Sequence, residues 1–415
     1  MDALNPPHQV FIYCRGGERR AQNDPAWDKT FVTWGAQPLV DEPSAVDIDD
    51  FSRWLTERKI ECVFFNEQRS WLPVILCAER KILTGAFVVH YREDTVPLFH
   101  CYDFLICNSQ HHFEVMSDHP QVRFVRWGTD LTRFRPSAPG IVTPGCVTFF
   151  HSGGLNPHRK GTDLVLQGFA KLRPGRALAR LVLHTQADPD ESLRTLLDAL
   201  QASAQGSSID LFRETVPDLA DLYRLGDVCV YPTRHEGLGL TVAEALASGL
   251  PILVTEQPPV SEHADGKVIR PVAVEIRYAR PDGDYWPQSL ASVDSLAAQM
   301  QALVDNPEDL SLLKEQARET AVRLFDWKKN AADLPQFFSG LKLIESQRKT
   351  SALAAAREFE RRKSHQGLRN WVGIHFPWLI RSARILRATK ALGRALGAPR
   401  ARDSQGHPSR TRGGA

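Results

Sequence analysis

The chain has 415 residues, 42% of them hydrophobic and 24% charged, with a formal net charge of +2. This is ordinary globular composition, long enough for two domains of roughly 100–200 residues plus an appendage. No basic start leads into an apolar run, so no secretory signal is expected. No stretch reaches the ~18 apolar residues of a spanning helix; the longest candidate, Trp371 to Ile380, is interrupted by Gly373, His375 and Pro377. In chain order, Val10 to Cys14 is a short apolar strand ending at Gly16-Gly17, and Asp47 to Arg58 has helical periodicity. Strands are predicted at Glu61–Phe65, Gly85–Val89, Tyr102–Cys107 and Val122–Arg126, with a helix over Trp71 to Arg80 and a helix N-cap at Asn108-Ser109. Short apolar strands separated by helical patterns imply a parallel sheet with crossover helices.

Residues 132–145 hold three prolines and two glycines and read as a linker. A second α/β series follows: strand Cys146–Phe150, turn Gly153-Gly154, helix Thr162–Leu172, strand Leu181–His184, helix Asp218–Leu225, strand Asp227–Tyr231. Then come helix Thr241–Ser248, stopped by Gly249 and Pro251, strand Pro251–Val254, and helices over roughly 291–304, 307–325 and 329–342. The expected domains are 1–135, a linker at 136–145, 146–344, a basic helical extension at 345–397 and a disordered tail at 398–415. Residues 345–415 hold 16 Lys and Arg against 4 Asp and Glu, so this end carries +12 and the remainder −10. The seven cysteines form no C-x-x-C pair and several sit in apolar runs, which points to reduced thiols in a cytoplasmic protein and not to a zinc site.

The stretch carrying most chemistry runs from Tyr231 to Pro251, as strand, glycine loop and helix. Gly237 and Gly239 allow a tight turn and close approach to a ligand. The helix beginning near Thr241 aims its free N–H groups and positive dipole end at that loop, which suits a diphosphate. In an open parallel sheet, ligands bind at the carboxyl ends of the strands, where this loop lies.

This stretch resembles the E-x7-E motif of retaining family 4 glycosyltransferases, with Glu236 and Glu244 as its two acids; Pro232, Ala245, Gly249 and Pro251 also fit the pattern. Phe149 to Asp163 resembles the family's strand–loop–helix ending in K-G-x-D. It departs by having Gly153-Gly154-Leu155 where the family often has Gly-Arg-Leu. Pro258 to Glu262 resembles a later loop with its Glu, and Tyr102–Ser109 and Trp127–Phe134 resemble segments before the linker. The resemblance implies an α/β protein of the GT-B plan, two Rossmann-like domains whose parallel sheets face a cleft, the first on the acceptor side and the second holding the donor, plus the basic helical C-terminal extension. It implies a nucleotide-diphosphate sugar as donor. Glu236 would contact the sugar and Glu244 the ribose, with Gly237, Leu238, Gly239, Leu240 and Thr241 facing phosphates and sugar. Lys160, with Arg159 beside it, would hold the diphosphate, and Arg213 to Val216 would meet the nucleobase. His90 falls where some relatives carry a polar group near the transferred sugar. Retention of configuration follows from the resemblance alone.

Several readings stay open. Thr241-x-x-Glu244 is also a capping box, with Glu244 bonding the Thr241 N–H. Glu236 also reads as a solvated turn residue, Lys160 as a surface lysine, and His90 as structural. With cations and a helix N-terminus to neutralise the phosphates, no metal or other cofactor is expected. The acceptor is expected to be a glycan or lipid-linked saccharide of the cell envelope. Apolar residues from Trp371 to Ile380 followed by Arg381, Arg384, Arg387, Lys390 and Arg394 fit either an interfacial helix over 371–396 on an anionic membrane or a solvated basic face. No nucleic-acid-binding module accompanies the charge. A non-catalytic nucleotide-sugar-binding relative, a nucleotide-sugar epimerase and a phosphorylase are the rival functions.

Overall fold

The computed structural model describes residues 8–15, 23–38, 45–66, 68–89, 91–136, 145–188, 190–203, 208–213, 216–279 and 287–362. Gly16-Gly17, His90, most of the 136–145 linker, the 371–396 stretch and the 398–415 tail lie outside the described residues.

In the first half, β1 (Ile12–Cys14) and β2 (Val32–Trp34) form a short parallel pair. Helix α1 (Ile48–Glu57) starts at Asp47, whose carboxylate accepts the Asp50 N–H, and it buries Phe51, Trp54 and Leu55. Each such burial contributes about 1.5–3 kcal/mol. Then follow β3 (Cys62–Asn66), α2 (Leu72–Glu79), β4 (Leu83–Val88), β5 (Phe104–Cys107), α3 (Gln110–Val115) and β6 (Val122–Phe124). These strands make one parallel sheet in the order β3-β4-β5-β6. Ser109 caps α3, accepting the His112 N–H, as its place in the sequence predicts.

The second half contains β7 (Cys146–Gly154), α4 (Pro157–Lys160), α5 (Thr162–Ala170), β8 (Leu178–Thr185), α6 (Glu191–Ser203), β9 (Ser208–Phe212), α7 (Leu219–Tyr223), β10 (Val228–Tyr231), α8 (Leu240–Ala247), β11 (Ile252–Thr255) and β12 (Ile269–Val272). Its six strands are all parallel, in the order β12-β11-β10-β7-β8-β9. Strands β10 and β11 are buried throughout, which matches their unbroken apolar sequences. An antiparallel pair, β13 (Val274–Ala279) and β14 (Pro287–Ala291), precedes α9 (Val293–Asp305) and α10 (Leu310–Leu324).

The chain then returns to the first half through α11 (Trp327–Asn330), α12 (Leu334–Gly340) and α13 (Gln347–Arg362). Trp327 packs against Trp127 with ring centroids 5.2 Å apart, and Phe337 and Phe338 stand edge-on to Phe104. Helix α13 lies against α2 and the 96–101 turn, where Lys349 Nζ reaches the fully buried Asp103 carboxylate at 2.5 Å. Glu360 accepts the Trp71 N–H at 2.7 Å.

The single helices expected over 307–325 and 329–342 are corrected. A 3-10 turn at Pro307–Asp309 precedes α10, and the later stretch divides into α11 and α12. Pro335, in the first turn of α12, lacks the amide that a continuous helix would use. The sequence reading does not anticipate β2, α6 or β9; β2 and β9 are short strands whose side chains are at most half-buried, with little alternation to mark them. None of the seven cysteines, all among the described residues, forms a disulfide. Burial pushes the thiols of Cys77, Cys101 and Cys107 up to about 12, so they are packing residues.

Candidate functional site

Strand order reverses between the neighbours β7 and β10, the place where open parallel sheets bind ligands, and the loops leaving their carboxyl ends meet there. The loop after β7 leads into α4, capped by the Asn156 side chain on the Arg159 N–H, and delivers Arg159 and Lys160. The loop after β10 delivers Glu236. Gly161 joins α4 to α5 at φ +80°, and a Cβ there would stand 2.3 Å from the Pro232 carbonyl oxygen. Only glycine lets the two loops approach this closely.

Glu236 and the two cations meet at one atom. Oε1 of Glu236 accepts from Lys160 Nζ at 2.6 Å, from an Arg159 guanidinium nitrogen at 2.6 Å and from the Tyr231 hydroxyl at 2.5 Å. Lys160 also donates to the Tyr231 hydroxyl, and its ammonium lies 4.8 Å from that ring's centroid. Arg159 additionally donates to the His235 carbonyl. Burial opposes charge on Glu236, yet Lys160 and Arg159, helped by the hydrogen bonds, hold its carboxyl down at about 2. Burial lowers the affinity of Lys160 for its proton, against the pull of Glu236. Glu236 and Lys160 are therefore neither a solvated turn residue nor an ordinary surface lysine; their side chains are 12% and 18% exposed.

A second set of contacts ties these loops together. Arg234 is buried and grips Asp163 with two nitrogens, at 2.8 and 2.7 Å, while also donating to the His158 carbonyl. Its amide donates to the Arg159 carbonyl at 2.8 Å. The fully buried His151 bonds the Val230 carbonyl and the Thr162 hydroxyl; burial lowers it to about 4, so it is neutral.

Gly239 sits at φ +72° as the N-cap of α8, which begins at Leu240. The capping-box reading of Thr241 and Glu244 is thereby corrected: the N-cap is Gly239, two residues before Thr241. Glu244 accepts instead from the Tyr223 hydroxyl at 2.7 Å, and burial raises its pKa. Thr241 lies beside the Tyr231 hydroxyl, and Glu244 is close enough to feel Lys160. Both acids of this stretch thus favour the charged form of Lys160. Leu240 is partly exposed, and Gly237 faces the other domain, where a Cβ would stand 2.4 Å from Val89 Cγ1. Glu262 closes the same boundary, its two oxygens each 2.9 Å from the amides of Gln110 and His111 at the start of α3.

Arg213 and Val216 stand apart from this cluster in their contacts. Arg213 pairs with Asp188 at 3.5 Å, and Val216 packs on the core beneath α7 and α8. Tyr231, Tyr223 and Arg234 were not anticipated as site residues. Tyr231 closes an apolar strand run and looks like core; its position as the last strand residue before the loop was the one available signal.

Residues 146–280 match the family described as Glycosyl transferases group 1. Over 174 residues the chain is 31% identical to the MMP alpha-(1->4)-mannosyltransferase of Mycolicibacterium hassiacum, covering 42% of this chain and 38% of that protein. It is 34% identical over 146 residues to the lipopolysaccharide core biosynthesis mannosyltransferase LpsB of Rhizobium meliloti, covering 34% and 42%. The chain spans about two fifths of the length of these curated relatives. Among solved structures, HepE of Anabaena in complex with UDP and glucose superposes with a TM-score of 0.55 at 13% identity, over 75% of this chain and 86% of that one.

Proposed function

We propose that this chain, a GT-B protein whose residues 146–280 belong to the glycosyl transferases group 1 family, transfers a sugar from a nucleotide-diphosphate donor to a glycan or lipid-linked acceptor with retention of configuration. The observation that carries the reading is the Lys160–Glu236–Arg159 cluster at the switch point of the second sheet, beside the first turn of α8. In transfer, the bond between the anomeric carbon and the diphosphate oxygen breaks with its electron pair on the diphosphate. An acceptor hydroxyl forms the new bond and gives up its proton to the departing diphosphate oxygen. Lys160 and Arg159, with the α8 amides, balance the charge that develops on the leaving group. Glu236 orients the sugar, and Glu244 takes the ribose. Donor binding is an exchange, in which the phosphates replace the Glu236 carboxylate as partner of the two cations. These groups supply the neutralising charge, so the reaction is proposed to run without a metal. UDP in the HepE structure makes UDP-sugars the first donors to try.

The test is thermal stabilisation by UDP, GDP, ADP, dTDP and CMP, with Lys160→Ala as control. A ligand that binds only the folded state at a hundredfold excess over its Kd adds about 2.7 kcal/mol. One diphosphate stabilising the protein, and failing to stabilise the variant, is the expected result. No response to any nucleotide overturns the proposal.

A further inference from the structure

We propose that Tyr231 is the positioning residue of this site, holding the Glu236 carboxylate in place when a diphosphate draws Lys160 and Arg159 away from it. The inference rests on the donor-site reading above and deepens it. Three donors converge on Glu236 Oε1. Two are flexible cations, each of which a phosphate would attract. The third is a neutral hydroxyl that a phosphate has no charge to pull.

The tyrosine is built to stay where it is. It is the last residue of β10, paired in register with Val254 of β11, and it is 1% exposed within the core formed by α7, α8, β10 and β11. Burial raises its pKa well above the usual range, so the hydroxyl keeps its proton at any working pH. Lys160 offers only donors, so the tyrosine oxygen accepts from it and the hydroxyl proton goes to the carboxylate. Once the cations turn to phosphate, a carboxylate this deeply buried loses the charges that kept it ionised. The tyrosine hydrogen bond then remains to hold both its ionisation and its orientation toward the sugar.

The competing account is that Tyr231 merely fills the core, and Tyr231→Phe separates the two. Phenylalanine keeps the ring, its packing and the ring's contact with the Lys160 ammonium, and removes the hydroxyl with its hydrogen bonds to Glu236 and Lys160. Three quantities are compared between wild type and variant: the Kd for the nucleoside diphosphate that stabilises the wild type, turnover of the corresponding nucleotide sugar, and the pH titration of the Glu236 carboxyl carbon by NMR, with and without that diphosphate. The expected outcome is a Kd changed by less than about threefold, with turnover down about ten- to a hundredfold, the worth of a hydrogen bond to a charged group. Glu236 titrates at higher pH in the variant, and the gap widens with the diphosphate bound. Equal turnover, or an unchanged Glu236 titration, overturns the assignment. So does a parallel loss of affinity and turnover, which marks a structural role. If no diphosphate binds the wild type, the donor reading fails by itself, and the titration of the empty protein still decides whether Tyr231 holds Glu236.

Discussion

Replacing Glu236 by Gln removes the charge on which Lys160 and Arg159 converge while keeping nearly the same shape. The Glu236 carboxyl titrates at about 2 in the folded protein against 4.5 for the free side chain. At about 1.4 kcal/mol per pKa unit, that difference corresponds to about 3 kcal/mol of stability in the empty protein. Because the folded value is the lower one, the unfolded chain binds the extra proton between these limits. The contribution is therefore complete above about pH 5 and is lost as the pH falls toward 2. Urea denaturation of wild type and Glu236→Gln at pH 7, 5 and 3 reads this directly. The variant is expected to be less stable by about 3 kcal/mol at pH 7 and 5, with the gap narrowing at pH 3. The same substitution leaves the two cations free for a phosphate, so diphosphate binding tightens, between about tenfold and a hundredfold if most of that energy is recovered. Turnover falls because the sugar loses its orienting group. A stability gap that does not change with pH, or a weaker diphosphate affinity in the variant, would refute the exchange of carboxylate for phosphate.

Three other expectations concern the rest of the molecule. Burial raises the pKa of Glu244, so its charge destabilises the folded state as the pH rises through that value; Glu244→Gln should be as stable as wild type or more so at pH 7, yet bind nucleoside diphosphate more weakly, by calorimetry. Lys349→Met strands the fully buried Asp103 carboxylate at the α13 contact and should cost about 3–5 kcal/mol in chemical denaturation. Transfer activity should survive EDTA undiminished, since Lys160 and Arg159 carry the charge on the leaving diphosphate; loss of activity restored by added Mg²⁺ would sink that part of the mechanism.

What could be read without a structure was whatever short-range pattern encodes. The run Asp227–Tyr231 predicts a buried parallel strand because it is apolar and short, and β10 is one. Gly237, Gly239, Gly249 and Pro251 punctuate the loop and the helix that follow because backbone sterics act within a few residues. Glu236, Glu244 and Lys160 could be nominated because their segments resemble the E-x7-E and K-G-x-D patterns of family 4 glycosyltransferases. Their mutual arrangement was beyond this level. Lys160 and Glu236 are 76 positions apart, and they touch because the sheet places β7 beside β10. Arg234 and Asp163 are separated by 71 positions, and Lys349 and Asp103 by 246, with no local signature linking either pair. Tyr231 reads as core from its neighbours, and it is core; that its hydroxyl ends at Glu236 depends on a loop folding back over it. Propensity, capping and periodicity are fixed by neighbours along the chain. Ion pairing among buried groups is fixed by which strands lie side by side, and the order of strands was settled only when the whole sheet assembled.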